Sequence, residues 1–325
     1  MHITTRSYRD GRVIDKDFPL AELSQRLKDD TTTLWVDLDD VEPMTLDDIA
    51  EELHLHPLAV EDVLGSHERA KMVRYPTHLF LTLYAVRAPE DSTKHMERRE
   101  IGIFVTRNVV VTVRRNASFD IDRAREAWEA QPTLLAEGAV SILWAIIDLT
   151  VDSHFDTIQT LDERLAELEE QLFAEDNDDD NIRHNAYRLH KHVLTLHRLA
   201  LPTREIVTAI LNRSQPPLPG VIIPYFQDVY DHTLRVTDWS DTLRDLVSTV
   251  IDTNLSIQSN NMNLVMKKLS GWAAIIAVPT LITGYFGMNV PYPTATEQIG
   301  VIISGVLIAL SSVGLYIMFK KNNWL

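Results

Sequence analysis

Two long apolar runs without a charged residue close the chain, at Leu269 to Asn289 and at Ile299 to Phe319. Twenty-one residues at a rise of ~1.5 Å each make a helix of roughly 31 Å, which is the thickness of a bilayer's hydrocarbon core. The pattern therefore predicts two transmembrane helices, 269–289 and 299–319. They would be joined by a loop at 290–298 and followed by a basic tail at 320–325.

Positive charge flanks these runs on one side only. Lys267 and Lys268 precede the first run and Lys320 and Lys321 follow the second, whereas the loop between them carries no Lys or Arg. Because basic residues stay on the cytoplasmic side of a membrane, both termini are predicted to be cytoplasmic. The chain is then a multi-pass protein of the cell membrane, with the lipid bilayer as a partner.

Strand-like and helix-like patterns alternate over residues 1–135. Strands are predicted at 34–38, 78–87, 100–106 and 109–114, the last two joined by a tight turn at Arg107-Asn108. Helices are predicted at 46–55 with Thr45 as the cap, from Pro57 onward, and at 120–130. Because the strands are adjacent rather than separated by helices, the sheet should be mixed or antiparallel within a cytoplasmic α/β domain.

Apolar residues recur at helical spacing from residue 136 to residue 268, which predicts a long helical stalk. Helices are expected at about 140–173, 182–213 and 224–289, with a proline-rich break between the last two. The third would extend roughly 100 Å, far more than one globular domain, and so should run from the cytoplasmic body into the bilayer. The fold class is thus an α+β membrane protein.

A stripe of small and polar residues repeats about every 3.5 positions along this third helix. It visits Asp252, Ser256, Ser259, Asn263, Met266, Ser270, Ala273, Ala277, Thr280 and Gly284. Such a repeat points continuously at the axis of a parallel bundle. Close helix packing would also favour small residues, but Asp252 and Asn263 are costly at a dry axis and are hydrated in a wet pore. Two spans cannot enclose a pore alone, so several copies of the chain are required.

Composition narrows the classes of function. The net charge of −16 argues against nucleic acid as a partner, and the lack of cysteine excludes disulfides and thiolate metal sites. No phosphate-binding glycine loop, nucleophile elbow or His-Glu metal motif is present, so an enzyme is not expected. The N-terminus lacks the apolar core of a signal peptide.

Gly287-Met288-Asn289, directly after Tyr285-Phe286 at the end of the penultimate span, resembles the signature of the CorA family of divalent-cation channels. Further segments that resemble the family lie at 56–64, 224–232 and 320–325. The resemblance implies a funnel-shaped homopentamer that passes Mg²⁺, with Co²⁺ and Ni²⁺ as further candidates, into the cytoplasm.

The resemblance also implies roles for particular residues. The selectivity filter is Gly287, Met288 and Asn289, where neutral oxygens would hold a hydrated ion. Below the filter, the pore lining is Gly284, Thr280, Ala277, Leu269, Met266, Asn263 and Asp252, with Leu269 assigned from the family alone. Regulatory Mg²⁺ would bind between subunits at Asp62 and Asp228, with Glu61 and His232 nearby. Glu297 in the external loop would attract cations.

Several alternatives stay open from the sequence. The external loop lacks the family's Met-Pro-Glu-Leu segment and residues 67–71 depart from its usual pattern, so the preferred cation is not fixed. Histidines at 184, 190, 192 and 197 keep a transporter of Zn²⁺ or another transition metal under consideration. Asn289 could instead cap a helix, and Asp62 and Asp228 could be ordinary surface acids. A membrane-anchored coiled-coil scaffold is the alternative from another class.

Overall fold

The computed structural model describes residues 2–65, 69–115, 120–174, 179–214, 217–288 and 298–324. Its strands are β1 (His2–Arg9), β2 (Arg12–Lys16), β3 (Thr33–Asp39), β4 (Lys71–Arg74), β5 (Leu79–Arg87), β6 (Glu97–Val105) and β7 (Val109–Arg114). Its helices are α1 (Leu23–Arg26), α2 (Pro43–Glu52), α3 (Pro57–Leu64), α4 (Ile121–Glu129), α5 (Pro132–Leu135), α6 (Ala139–Leu172), α7 (Asp179–Arg213), α8 (Ile223–Phe286) and α9 (Gln298–Lys321). A short 3-10 helix occupies Leu20–Glu22. The chain divides into two compact units, Met1–Val250 and Ile251–Leu325.

One seven-stranded sheet organises the first unit, in the order β2-β1-β3-β7-β6-β5-β4. Only β3 and β7 pair in parallel among the described strands, and the other neighbours are antiparallel. The mixed sheet expected from the sequence is therefore confirmed. The predicted turn is also confirmed, because Thr106 N donates to Val109 O at 2.9 Å across Arg107-Asn108.

Helices cover both faces of the sheet. On one face, α2 and α3 pack on alternate residues of the central strands, such as Leu34 and Val36 of β3 and Phe104 of β6, all fully buried. On the other face lie α4 and α6, where Trp128 meets Trp35 edge to face at 5.9 Å. A buried ion pair joins Arg114 and Asp37 at 2.6 Å between β7 and β3 on this face. The side-chain alternation expected of strands thus separates two apolar layers.

The predicted helix at 46–55 begins earlier than expected. Glu42 is extended and Pro43 occupies the first helical turn, so α2 begins at Pro43 and the predicted cap at Thr45 is wrong. Proline lacks the N–H that a first turn leaves unpaired, and its fixed φ suits this position. The next two helices begin close to the predicted residues, α3 at Pro57 and α4 after Asp120, which caps α4 by accepting a hydrogen bond from Arg123 N.

Three helices, α6, α7 and the first part of α8, complete this unit. Tryptophans of α6 and α8 make two cross-helix hydrogen bonds, from Trp144 to Tyr225 O at 3.2 Å and from Trp239 to Asp162 at 3.4 Å. Because residue numbers rise together in these contacts, α6 and α8 run parallel. Arg204 of α7 donates to Thr237 of α8 at 3.0 Å.

The second unit contains the remainder of α8 and all of α9. By length and composition, α8 and α9 are long and apolar enough to cross a membrane, and their most apolar windows are 6% and 0% buried. The first ends at Phe286, three residues before the predicted end. There, Gly287 N still donates to Thr283 O at 2.9 Å, whereas Met288 N turns to Tyr285 O at 3.3 Å. This tighter turn closes the helix.

Candidate ion path and candidate metal residues

The end of α8 carries the first candidate site. A Cβ atom added to Gly287 would lie 3.0 Å from Thr283 O, so a larger residue would press on the carbonyl that the Gly287 N–H itself binds. Glycine therefore allows the chain to leave the helix close to its own backbone. Met288 is 47% exposed. Asn289 and Glu297, both predicted site residues, lie outside the described residues.

The predicted pore-lining residues are all exposed in the single chain. They are Asp252, Asn263, Met266, Leu269, Ala277, Thr280 and Gly284. Within the part of the chain that the structure describes, an added Cβ at Gly284 would meet nothing within 4 Å. The hydroxyl of Thr280 donates to Ile276 O at 2.8 Å, which satisfies it within its own helix. Apart from Met266 and Leu269, which are large and apolar, these residues form an exposed surface of small and polar groups.

Large apolar residues beside this stripe are exposed as well. Leu255, Met262, Val265, Leu269, Trp272 and Ile276 are each 49–65% exposed. Their spacing of three, four or seven places them along one side of α8. Exposed apolar surface of this extent needs lipid or further protein to cover it.

Glu61 and Asp62, the first pair of predicted metal residues, are carried by α3. His56 caps this helix, since its Nδ1 accepts from Leu58 N at 3.2 Å, and Pro57 occupies the first turn. Its inner face fits tightly on the sheet, because a Cβ at Gly102 of β6 would lie 2.6 Å from Val63 Cγ2. Glu61 points into solvent, and Asp62 is half-buried.

Asp62 already has a cationic neighbour. Its Oδ2 atom lies 2.5 Å from Lys71 Nζ of β4. A divalent cation at Asp62 would therefore compete with an internal ammonium group rather than bind a bare carboxylate. This competition would weaken binding at Asp62 unless further carboxylates contribute.

Asp228 and His232, the second pair, lie one turn apart on α8. The Asp228 side chain is 69% exposed, and its Oδ2 is 3.9 Å from His232 Nδ1. Among the described residues, no group of three or more His, Asp or Glu side chains is arranged to hold a metal ion. The four predicted residues thus do not form a complete metal site within one chain.

Two acids that the sequence analysis did not select lie next to Asp228. Burial raises the pKa of Asp148 to about 6, with further increases from the charges of Asp152 and Asp228, while His232 lowers it. Burial also raises the pKa of Asp152, and the charge of Asp156 adds to this. Negative charge is therefore disfavoured at both carboxyl groups. Their signal was the spacing of four within a largely apolar stretch of α6.

Three of the four histidines of α7 make other contacts, and the fourth, His190, has a buried Nδ1 without a hydrogen-bond partner among the described residues. His192 pairs with Lys94 O at 3.1 Å, and His197 Nδ1 lies 2.9 Å from Ser240 Oγ. They do not converge on one point in the part of the chain that the structure describes. The histidines therefore give no structural support to a zinc site.

A mixed α/β domain, three long helices and two membrane-length helices define the class of this molecule as a membrane protein with a large extramembrane domain. Residues 30–321 match the family described as CorA-like Mg²⁺ transporter protein. The chain belongs to this family, as its resemblance indicated. The family is defined by transport rather than by catalysis.

Individual relatives agree along nearly the whole chain. The cobalt/magnesium transport protein CorA of Thermotoga maritima is 26% identical, over 100% of this chain and 91% of its own length. A putative metal ion transporter of Bacillus subtilis is 28% identical, over 95% of this chain and 94% of its own. The complete structure of the CorA magnesium transporter from Methanocaldococcus jannaschii has a TM-score of 0.80 at 20% identity, covering 99% of this chain and 98% of that one. This last likeness supports the fold.

Proposed function

We propose that the chain is the subunit of a homopentameric channel that passes divalent cations, Mg²⁺ first and also Co²⁺, into the cytoplasm. One observation carries this proposal: α8 presents an exposed stripe of small and polar residues that leads to Gly287 and Met288 at its membrane end. Within a single chain this stripe encloses nothing. Copies arranged about an axis would convert it into the wall of a wet path.

The exposed apolar residues beside the stripe support an assembly of several chains. In a bundle of α8 helices, Leu255, Val265 and Trp272 would pack between neighbouring subunits while the small residues face the axis. Around this ring, α9 would contact lipid. Membership of the CorA-like family favours five copies, which is the number that the resemblance implies.

The ion would meet the filter first. A ring of Asn289 amides with the Gly287 carbonyls offers neutral oxygen acceptors to the water shell of Mg²⁺, which this ion gives up reluctantly. Thr280, Asn263 and Asp252 would form later rings, with Met266 and Leu269 as an apolar constriction. A potential of 100 mV supplies about 4.6 kcal/mol for two charges that move inward.

Cytoplasmic Mg²⁺ would close this path by binding between subunits. Asp62 and Glu61 of one subunit would share the ion with Asp228 of its neighbour, and His232 would lie close by. Asp148 and Asp152 extend the acidic surface around Asp228, and their raised pKa values indicate charge that a cation would relieve. Without the cation, repulsion would loosen the contact between subunits.

Uptake into vesicles tests the transport proposal. Purified protein in liposomes is given Mg²⁺, Co²⁺, Ni²⁺ or Zn²⁺ separately, and uptake is followed with an internal dye. Asn289→Ala should abolish Mg²⁺ uptake with the oligomer intact, whereas Asn261→Ala, on the opposite side of α8 from the stripe, should leave it unchanged. If only Zn²⁺ is taken up, Zn²⁺ rather than Mg²⁺ would be the transported ion. No uptake of any cation, with Asn289→Ala tolerated, would favour the scaffold.

A further inference from the structure

A basic pocket lies in the cytoplasmic unit, between the β5–β6 connection and α7. Its volume is about 400 Å³. Six of the eleven residues that line it are basic or histidine: Lys94, His95, Arg98, Arg188, Lys191 and His192, and no acid is among the eleven. The whole chain has 47 acidic and 31 basic residues, so this local excess of positive charge opposes the overall trend. The channel proposal makes no use of it.

The pocket wall is held by specific hydrogen bonds. A turn at Asp91 fixes the connection, because Asp91 accepts from Thr93 N at 2.8 Å through its side chain and from Lys94 N at 3.0 Å through its carbonyl. The next contact reaches α7, where the buried His192 bonds to Lys94 O at 3.1 Å. Since a carbonyl only accepts, Nε2 of His192 carries the proton. The loop and the helix are therefore fixed to each other.

The positive charges in the pocket are not neutralised locally. No carboxylate of the described chain lies within ion-pair distance of Lys94, Arg98, Arg188 or Lys191. Hydrogen bonds from Thr93 lower the pKa of Asp91, and the charges of Lys94 and Arg188 add to this. Glu90 and Glu167 line an adjoining cavity rather than this pocket. Arg188 and Lys191 are three residues apart on one helix face, an arrangement of like charges that costs stability. An anionic ligand would offset this cost.

Burial lowers the pKa of His192, and the positive charges of Arg164, His95 and Lys191 lower it further, while the hydrogen bond to Lys94 O opposes this. Burial and these charges therefore disfavour the charged form of His192, whose ring forms part of the pocket wall. The charge available to a ligand comes from the two arginines and two lysines. Arginine forks bind phosphate oxygens in pairs, and lysines add charge on flexible stems.

We propose that this pocket binds a soluble oligophosphate, an anion with two or more linked phosphate groups. Four formal positive charges match the three to five negative charges of pyrophosphate or tripolyphosphate. A cavity of this size lies within the usual range for small-molecule sites. A lipid headgroup has the same chemistry, but the lining offers only Met96 and Tyr187 as large apolar or aromatic surface, with no groove for acyl chains.

Calorimetry on the full-length protein in detergent tests this site, with inorganic tripolyphosphate as the probe and EDTA present to remove divalent cations. We expect saturable binding at one ligand per chain. Arg188→Gln with Lys191→Gln should weaken it about tenfold or more, because two charged contacts are removed. A matched double variant, Arg198→Gln with Arg235→Gln, removes two exposed basic residues that do not line the pocket and should bind within about twofold of the parent.

Three results would overturn the proposal: no saturable binding by the parent protein, equal weakening in both double variants, or displacement of tripolyphosphate by phosphatidylglycerol vesicles. If the pocket double variant does not fold, the single variant Lys191→Gln provides the same comparison, and unchanged affinity would count against the site. Because binding is measured without transport, failure here leaves the channel proposal intact. Failure of transport likewise leaves this result standing.

Discussion

The two units of this chain differ in how they treat their apolar side chains. The unit up to Val250 buries its apolar residues within one chain, around a sheet whose central strands are almost wholly inaccessible to solvent. From Ile251 onward, α8 and α9 leave most of their apolar residues exposed. The first unit therefore contains its own core, whereas the second has little buried apolar surface in the single chain and would gain it from lipid and other copies in the proposed assembly. Substitutions should consequently act through the single chain in one unit and through the assembly in the other.

The largest effect is expected from Gly284→Trp. No described atom lies within 4 Å of a Cβ added at this position, so we expect the bulk of Trp to block the axis of the proposed assembly rather than to disturb α8 itself. Vesicle uptake of Mg²⁺ should fall to background while the oligomer persists in size-exclusion chromatography. Ile282→Trp, which places the same bulk opposite the stripe, should retain transport. If Gly284→Trp loses the oligomer and Ile282→Trp does not, the stripe would serve to pack helices together rather than to line an ion path.

Asp37→Ala should damage the first unit from within. It removes the nearest carboxylate of the buried Arg114 guanidinium and leaves Asp39, 3.7 Å away, as a weaker partner; breaking a buried pair typically costs about 3–5 kcal/mol of the free energy of unfolding. The thermal midpoint of the purified protein should drop sharply. Asp30→Ala is the matched control, since its 3.6 Å pair with Arg107 is exposed on both sides and is worth about 1 kcal/mol or less. Equal losses would mean that the sheet does not depend on its buried ion pair.

Asp148→Asn should stabilise the protein at neutral pH in the absence of divalent cations. The pKa of Asp148 is raised to about 6, so its favourable contribution is complete below its ordinary value of 3.8 and is lost as pH rises through 6. Above that pH the variant should gain up to about 3 kcal/mol, and the gain should vanish near pH 4. Thermal melts from pH 4 to 8 in EDTA measure this.

Glu163→Gln, on the exposed face of the same helix and outside the acidic cluster, is the control for Asp148→Asn and should change the melting profile little. Added Mg²⁺ should stabilise the parent more than Asp148→Asn if a cation relieves the acidic cluster. An identical response of the two proteins to Mg²⁺ would remove Asp148 from the proposed regulation.

A smaller effect is expected from Lys71→Met, which removes the ammonium group beside Asp62. A half-buried pair of this kind is worth about 1 kcal/mol, so inhibition of uptake should need roughly fivefold less cytoplasmic Mg²⁺. Asp228→Lys should act in the opposite direction and resist inhibition. Lys28→Met, an exposed lysine elsewhere, should leave the inhibitory concentration unchanged. Unaltered inhibition in Lys71→Met would exclude Asp62 as a ligand.

The two units also differ in how well their secondary structure could be predicted from the sequence. Strands β3, β5 and β7 were predictable because they are short, apolar and bounded by turns, whereas β1, β2 and β4 were missed. The sequence of β1, His2–Arg9, contains five residues in a row without an aliphatic side chain, from Thr4 to Tyr8, and β2 and β4 are the edges of the sheet. A polar interior strand such as β1 and short edge strands such as β2 and β4 lack the apolar signal on which prediction depends.

The membrane helices were easier to predict, because an uncharged apolar run of some twenty residues is uncommon outside membrane spans. The acidic neighbours of Asp228 were harder. Asp148 and Asp152 become a cluster only when α6 and α8 run side by side, and that pairing rests on Trp144 and Trp239, whose partners are distant in sequence. Tertiary contacts of this kind are not encoded in local periodicity.

Gly102 has a mechanical consequence for the proposed gate. Because β6 has no side chain at Gly102, α3 packs directly on the sheet. Val63 of α3 fills the space that a methyl group at Gly102 would need. Asp62 thus lies on a helix that is packed tightly on the sheet, while Asp228 lies on the exposed side of the long helix α8. If a cation joins these two residues across subunits, we expect α8 rather than α3 to change its shape when the cation leaves. The sheet domain would stay rigid, and the helix that reaches the membrane would bend.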